Sequence, residues 1–289
     1  MMREDIRINW IDGLLLALLA AAALYCVHRI SVDMQYKWQW AAIPQYIVRV
    51  EAGNLKAGTL LRGFLITVKL SLWATVLATL FGTAMGLLRL SAGRCERLIA
   101  AGYVEIVRNL PPLVLVFIVY FFAGDRIMSA LDIERTIRTA TPGAQATLSF
   151  LFTTPERLSV FFAGLTTLVF YEAAYIAEIV RAGIQSIERG QWEAAHALGL
   201  ARYQQLLFVI MPQAFRRILP SLAGQLISTI KDSAIVSVIS IPELTFQGTE
   251  LMSATYLTFE VWITVMALYF ALTFTLSLAA RHIEKGWKR

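Results

Sequence analysis

The sequence predicts an all-α, polytopic membrane protein with about six transmembrane helices. Three observations predict it. Of 289 residues, 57% are hydrophobic and 16% charged, where soluble domains have roughly 45–50% and about 25%. The apolar residues fall in runs near the length of about 20 that a spanning helix needs. Lys and Arg collect in the segments between those runs.

The first run is 13–27, GLLLALLAAAALYCV, extended past Asp12 by Trp10 and Ile11. Arg3 and Arg7 precede it, as basic residues precede a signal peptide. Glu4, Asp5 and the bulky Tyr25-Cys26 do not suit a cleavage site of small residues, so an uncleaved anchor helix is expected. A long outer loop, 29–56, follows with four basic residues. The second span lies within 59–88, and 70–88 is uncharged. The third, 98–123, is interrupted by Arg108, Asn109 and Pro111-Pro112. Segment 124–157 mixes both charge signs and reads as an outer insertion with a short helix around 127–137. The fourth span, 158–181, carries Glu172 and Glu178. The fifth, 215–241, holds Lys231-Asp232 inside it, and the sixth, 261–280, is uncharged.

Orientation follows from the loops. Arg89, Arg94 and Arg97 after the second span, and Arg281, Lys285, Lys288 and Arg289 at the tail, place those segments in the cytoplasm. Six spans then put both termini inside. Segment 242–257 has no Lys or Arg, only Glu243 and Glu250, and is expected to be an outer loop. The net charge of +6 is accounted for by these basic loops, so no nucleic-acid partner is expected. The partner that composition does imply is the lipid bilayer.

Catalytic chemistry is not readable. His28, His196 and His282 are scattered, and no Ser/His or paired-carboxylate arrangement occurs. Cys26 and Cys95 fall on opposite sides of the plan, and there is no C-x-x-C, so neither disulfide nor metal site is expected. No G-x-x-x-x-G-K-[ST] is present, so the chain does not itself hold ATP in a P-loop. The expected chain is not an enzyme, has no cofactor of its own, and takes energy from a partner.

The polar segment 191–212, QWEAAHALGLARYQQLLFVIMP, stands between apolar runs. Residues 191–198 are strong helix formers. Glu193 places charge near the start of that helix, where the macrodipole favours it, and Ala194 and Ala195 leave a narrow face. Gly199 can adopt the left-handed conformation that closes a helix. A second, amphipathic helix is expected to lie along the membrane, with Pro212 breaking it where the chain re-enters the bilayer. Such an element offers a stiff docking surface to a soluble partner.

The spacing of Glu193-Ala194-Ala195, Gly199 and Val209-Ile210-Met211-Pro212 resembles the EAA loop of ABC-transporter permeases, with Val209 and Met211 in the usual Ile and Leu places. Residues 174–184, AYIAEIVRAGI, look like the A-Y-x-A-E-I-x-R-G-G-I stretch of the polar amino acid uptake permeases. Ile187 to Gln191, Pro212-Gln213-Ala214 with Leu219-Pro220, and Lys231-Asp232-Ser233 through Glu243-Leu244 continue the likeness. Residues 105–114, EIVRNLPPLV, parallel E-x-x-R-G-T-P-L-L-V, with Asn109-Leu110 in place of Gly-Thr.

This resemblance implies a binding-protein-dependent importer permease with a five-helix type I core. The implied domains are an anchor helix and outer loop at 1–58, a permease domain at 59–284 with coupling loop 188–212, and a basic tail at 285–289. Implied ATPase-coupling residues are Glu193, Ala194, Ala195, Gly199 and Pro212. Implied partners are a cytoplasmic ABC ATPase dimer that binds ATP and Mg, a second permease subunit, identical or different, an extracytoplasmic solute-binding protein, and an amino acid substrate. The implied location is the inner, or plasma, membrane of a prokaryote.

A charge at the bilayer centre costs at least roughly 2.5–3.5 kcal/mol, so charged residues in spans need a partner or a wet cavity. Glu172 and Tyr175 are expected to line the translocation path, with Lys231 and Asp232 as further candidates. Ion pairing between helices is the competing role for Lys231, Asp232, Glu178 and Arg181, the last two being three apart on one face. For Lys69 the competing role is snorkelling. A secondary transporter or channel working without an ATPase is the alternative class. It would need no docking element, and no internal duplication is visible.

Overall fold

The computed structural model describes residues 10–33, 36–51, 53–124, 126, 135 and 139–287. The expected helix around 127–137 lies largely outside them. Residues 1–43 and 44–289 form two compact units.

In the first unit, α1 (Trp10–Asp33) is one helix of 24 residues, and its stretch 10–29 is long and apolar enough to cross a bilayer. A 3-10 turn, Trp40–Ala42, follows.

The second unit opens with the short α2 (Pro44–Ile47) and an antiparallel hairpin, β1 (Val48–Glu51) with β2 (Asn54–Ala57). The hairpin is the one departure from all-α among the described residues. Val48, Val50, Leu55 and Ala57 share one face by the alternation of strand side chains, and Arg49, Glu51 and Lys56 share the other. Glu51 Oε2 accepts from Lys56 Nζ at 2.8 Å and Oε1 accepts from Arg49 at 2.5 Å. The Lys56 hydrogen bond, and then Arg49, hold the Glu51 carboxyl below the usual carboxylate range.

The core is a pair of long helices, α3 (Thr59–Leu88) and α7 (Leu158–Gln185). On α3, Ala74, Ala78, Gly82 and Gly86 recur every four residues and are buried. They make the small-residue seam that lets membrane helices approach closely. A Cβ on Gly82 would stand 2.7 Å from the Ala173 carbonyl, and one on Gly86 would stand 2.8 Å from that of Ala177. Dispersion between backbones therefore holds this pair where no hydrophobic driving force exists between helices in lipid.

The expected third span is two helices, α4 (Arg94–Asn109) and α5 (Pro112–Ile118), bent by 119°. The residue before a proline is pushed out of the helical region: Leu110 sits at φ −88°, ψ 145°. Asn109 Nδ2 folds back onto the Glu105 carbonyl at 2.8 Å. A wide π turn, Val119–Gly124, continues α5. The chain returns through α6 (Pro142–Leu151), whose Ser149 carbonyl accepts from Lys69 Nζ at 3.1 Å. Lys69 thus meets a backbone acceptor.

After α7 come α8 (Arg189–Ala197), α9 (Arg202–Gln204), a π segment (Gln205–Ile210) and α10 (Met211–Asp232). Here the expectation for Pro212 is corrected. The chain does not break there: 202–239 is a single apolar rod of 38 residues. Pro212 takes the second position of α10, directly after the widened π turn. Both features are usual causes of a bend rather than a stop.

Lys231-Asp232 closes α10 and lies inside the span 202–239, as expected, and the chain tightens from there into a 3-10 stretch, Ser233–Ile239. The outer loop expected at 242–257 is mostly the helix α11 (Leu244–Thr255), packed on α3 and on α12 (Thr258–Trp287). Its N-cap, Glu243, is fully buried. Glu243 Oε1 accepts from Phe246 N at 2.7 Å, and Oε2 accepts from Tyr269 at 2.7 Å and Thr67 at 3.3 Å. One carboxylate therefore ties α3, α11 and α12. Among the described residues, five helices are long and apolar enough to span, or six if the bent pair is one span.

Candidate functional site

The docking segment is a built elbow. Gly199 has φ +75° and closes α8. Leu200 N donates to the Ala195 carbonyl at 3.3 Å and Gly199 N to that of His196 at 2.9 Å. This is the paired 6→1 and 5→2 closure that favours glycine. The turn is then fixed from its far side. Ala201 N donates to Gln204 Oε1 at 2.9 Å, and Gln205 Nε2 donates to the Leu200 carbonyl at 2.7 Å. Gln205 is buried although polar, which makes that bond obligatory. Glu193 and Ala194 are exposed, and Ala195 is buried. The free face of α8 is therefore the one carrying Glu193 and Ala194. Pro212 is exposed on the rod beyond the elbow.

At the same end of the core lies a cavity of about 530 Å³, lined by residues including Arg108, Tyr175, Glu178, Ser186, Arg217, Ser221 and Gln225. The Arg108 guanidinium stands 5.6 Å from the centre of the Tyr175 ring, within cation–π range. Tyr175 and Tyr171 share a hydroxyl–hydroxyl bond of 3.1 Å. Glu178 is paired with Arg181 one turn on, as the spacing predicts, and also with Arg89, the residue that caps α3. Arg108 lies 3.6 Å from it, and Glu105 reaches Arg89 at 3.4 Å. Two carboxylates thus stand among three guanidiniums, with Arg217 across the cavity bonded to Ser186. The surplus is positive.

Glu172 is completely buried. Gln225 Nε2 donates to its Oε2 at 2.6 Å, while Oε1 has no hydrogen-bond partner among the described residues. Asp232 stands near enough for the two carboxyls to interact. The structure therefore groups Glu172 with Asp232, and Gln225 links them to Tyr175 by lining the same cavity. Lys231 is exposed and stands outside the group.

Sequence reasoning passed over Arg108, Arg217 and Gln225. Arg108 sat inside a recognised motif but counted as a span interruption. Gln225 was legible as an uncharged polar residue in an apolar run. Nothing in the sequence ties Arg217 to Ser186, since that contact depends on how α10 crosses α7.

Comparison with known proteins bears on this arrangement. The family model described as binding-protein-dependent transport system inner membrane component matches residues 70–289. The glutamine transport system permease protein GlnP of Escherichia coli K12 is 33% identical over 261 residues, covering 88% of this chain and 99% of that protein. The probable glutamine ABC transporter permease protein GlnP of Bacillus subtilis is 33% identical over 226 residues, covering 77% and 90%. The crystal structure of an amino acid ABC transporter with histidines superposes with a TM-score of 0.62 at 32% identity, covering 78% of this chain and 93% of that one. An inward-facing MetNI methionine ABC transporter has a TM-score of 0.60 at 20% identity and shares the fold. The chain belongs to the family of binding-protein-dependent transport system inner membrane components, the permease subunits of ABC importers.

Proposed function

We propose that this permease passes polar amino acids through the cavity at Tyr175 and Glu172. In this reading the elbow at 188–212 takes up the motion of a cytoplasmic ABC ATPase dimer. One observation carries it: α8 is locked to α9, which runs without a break into α10, and α10 carries Gln225 to the Glu172 carboxylate. A push on the face of Glu193 and Ala194 is delivered along one rod to Gln225, which lines the cavity and holds the buried Glu172. Such coupling needs a mechanical element shared by both sites.

The substrate class rests on the relatives named for glutamine, the neighbour crystallised with histidines, and the cavity's chemistry. An amino acid is a zwitterion, and the cavity offers guanidiniums on one side and the Glu172 and Asp232 carboxyls behind Gln225. The elbow and both termini face the cytoplasm by the distribution of Lys and Arg. A second permease subunit completes the path, an extracytoplasmic solute-binding protein delivers the substrate, and ATP and Mg bind in the ATPase. Family membership favours this over a secondary transporter or channel.

The test is uptake by proteoliposomes holding the permease, its ATPase and its binding protein. Gly199→Asp and Glu193→Lys should abolish co-purification of the ATPase. Glu172→Gln should leave co-purification intact and lower uptake of a cationic amino acid about tenfold, the cost of one charge-assisted contact. Unchanged uptake removes Glu172 from the path.

A further inference from the structure

Beside the elbow lies a second groove of about 610 Å³, which shares no lining residue with the cavity at Tyr175. Its wall is apolar: Leu90 follows the end of α3, Ile184 lies in the last turn of α7, and Leu206 belongs to the π segment. Trp192 and Tyr203 line it as well, and Arg189 and Arg202 complete it. Both arginines are exposed, and neither side chain makes a hydrogen bond or ion pair among the described residues. No carboxylate is among the lining residues. Glu96, which touches the lining residue Ser91, is engaged by the Ser91 hydroxyl.

Two free guanidiniums, two amphipathic aromatic rings and an aliphatic wall occur together at the level where the spans 59–88 and 155–185 end. A soluble anion would use the arginines and leave the wall bare. A neutral lipid would use the wall and leave the arginines unpaired. One class of ligand satisfies both. We infer that this groove binds an anionic phospholipid, its phosphate between Arg189 and Arg202 and an acyl chain along Leu90, Ile184 and Leu206, so that lipid occupies the hollow behind the elbow. The inference needs only that the chain spans a bilayer and does not depend on the substrate or on the ATPase.

The test uses the detergent-purified importer and brominated lipids, which quench nearby tryptophan. The Trp192 share of the emission is defined by subtraction of the Trp192→Phe protein. Phosphatidylglycerol is expected to quench that share at roughly tenfold lower concentration than phosphatidylcholine with the same chains, since each basic residue near a lipid surface attracts anionic headgroups. Arg189→Gln/Arg202→Gln should erase the difference, and Arg189→Lys/Arg202→Lys, which keeps the charge, should retain much of it. Equal quenching by the two lipids overturns the inference, as does an unchanged titration in the glutamine variant. Displacement of the brominated lipid by soluble glycerol phosphate assigns the groove to a free phosphate and also overturns it. Uptake measured after reconstitution of the same proteins into proteoliposomes with the ATPase and binding protein separates the two readings. Intact uptake without lipid preference refutes the groove alone, and lipid preference without uptake refutes the proposed function alone.

Discussion

At Gly199 a single torsion angle decides the elbow. Its φ of +75° is one that residues with a Cβ adopt at a cost of roughly 1–2 kcal/mol, and the space around a new Cβ is open. Gly199→Ala should therefore destabilise the turn by about 1 kcal/mol through conformation alone. Gly199→Asn should recover part of that, because asparagine tolerates this region. Coupled ATP turnover in the assembled importer, measured for the two variants, checks the order. At Glu243 the balance is different. Its carboxylate accepts from Phe246, Tyr269 and Thr67 in a fully buried place. Glu243→Ala orphans those donors and should cost about 1–3 kcal/mol, seen as a lower melting temperature in detergent. Glu243→Gln keeps an acceptor and should fall in between. This knot has no local signature: in a segment with Glu243 and Glu250 and no Lys or Arg, an acidic side chain reads as solvent-facing. Its burial depends on Thr67 and Tyr269, far away in the chain.

Among the elements, the long rods were legible, and so was the place where the third is interrupted, but not how far the chain bends there. The far end of α3 follows from the uncharged run 70–88 and the basic segment that begins at Arg89. The seam of Ala74, Ala78, Gly82 and Gly86 was present in the letters, but which helix fills it is a tertiary fact. Gly82→Leu should force α3 from the Ala173 backbone. Overpacking of this kind costs typically about 1–3 kcal/mol and should show as reduced yield of folded protein and a lower melting temperature. Leu80→Ala, on the exposed face of the same helix, should leave both unchanged. Equal effects of the two would deny the seam its role. The prolines mislead in opposite directions. Pro111-Pro112 reads as a blemish in one span, yet it bends the chain by 119°. Pro212 reads as a stop, yet the rod passes through it. The difference lies in the neighbours: Leu110 is extended ahead of two prolines, while Pro212 follows a π turn that supplies the slack.

For the molecule as a whole, the sequence carried the family and the fold class, because hydropathy and the elbow's spacing are local signals. The cavity was half legible. Tyr175 and Glu178 in its lining, and Glu172 buried behind Gln225, were visible as charged or polar residues within an apolar span. Arg108, Arg217 and Gln225 join them only through the crossing of α4, α7 and α10. What unites elbow and cavity is the stiffness of the joint between α8 and α10. Inserting two glycines between Ala201 and Arg202 leaves the face of Glu193 and Ala194 intact and breaks the tie from Ala201 to Gln204. The decisive measurement is uptake per ATP hydrolysed in proteoliposomes holding this variant, its ATPase and its binding protein. The account predicts that the ATPase still co-purifies and turns over ATP while uptake per ATP falls about tenfold or more, a loss of roughly 1.4 kcal/mol or more of coupling. Uptake that keeps pace with hydrolysis in the softened chain would contradict it.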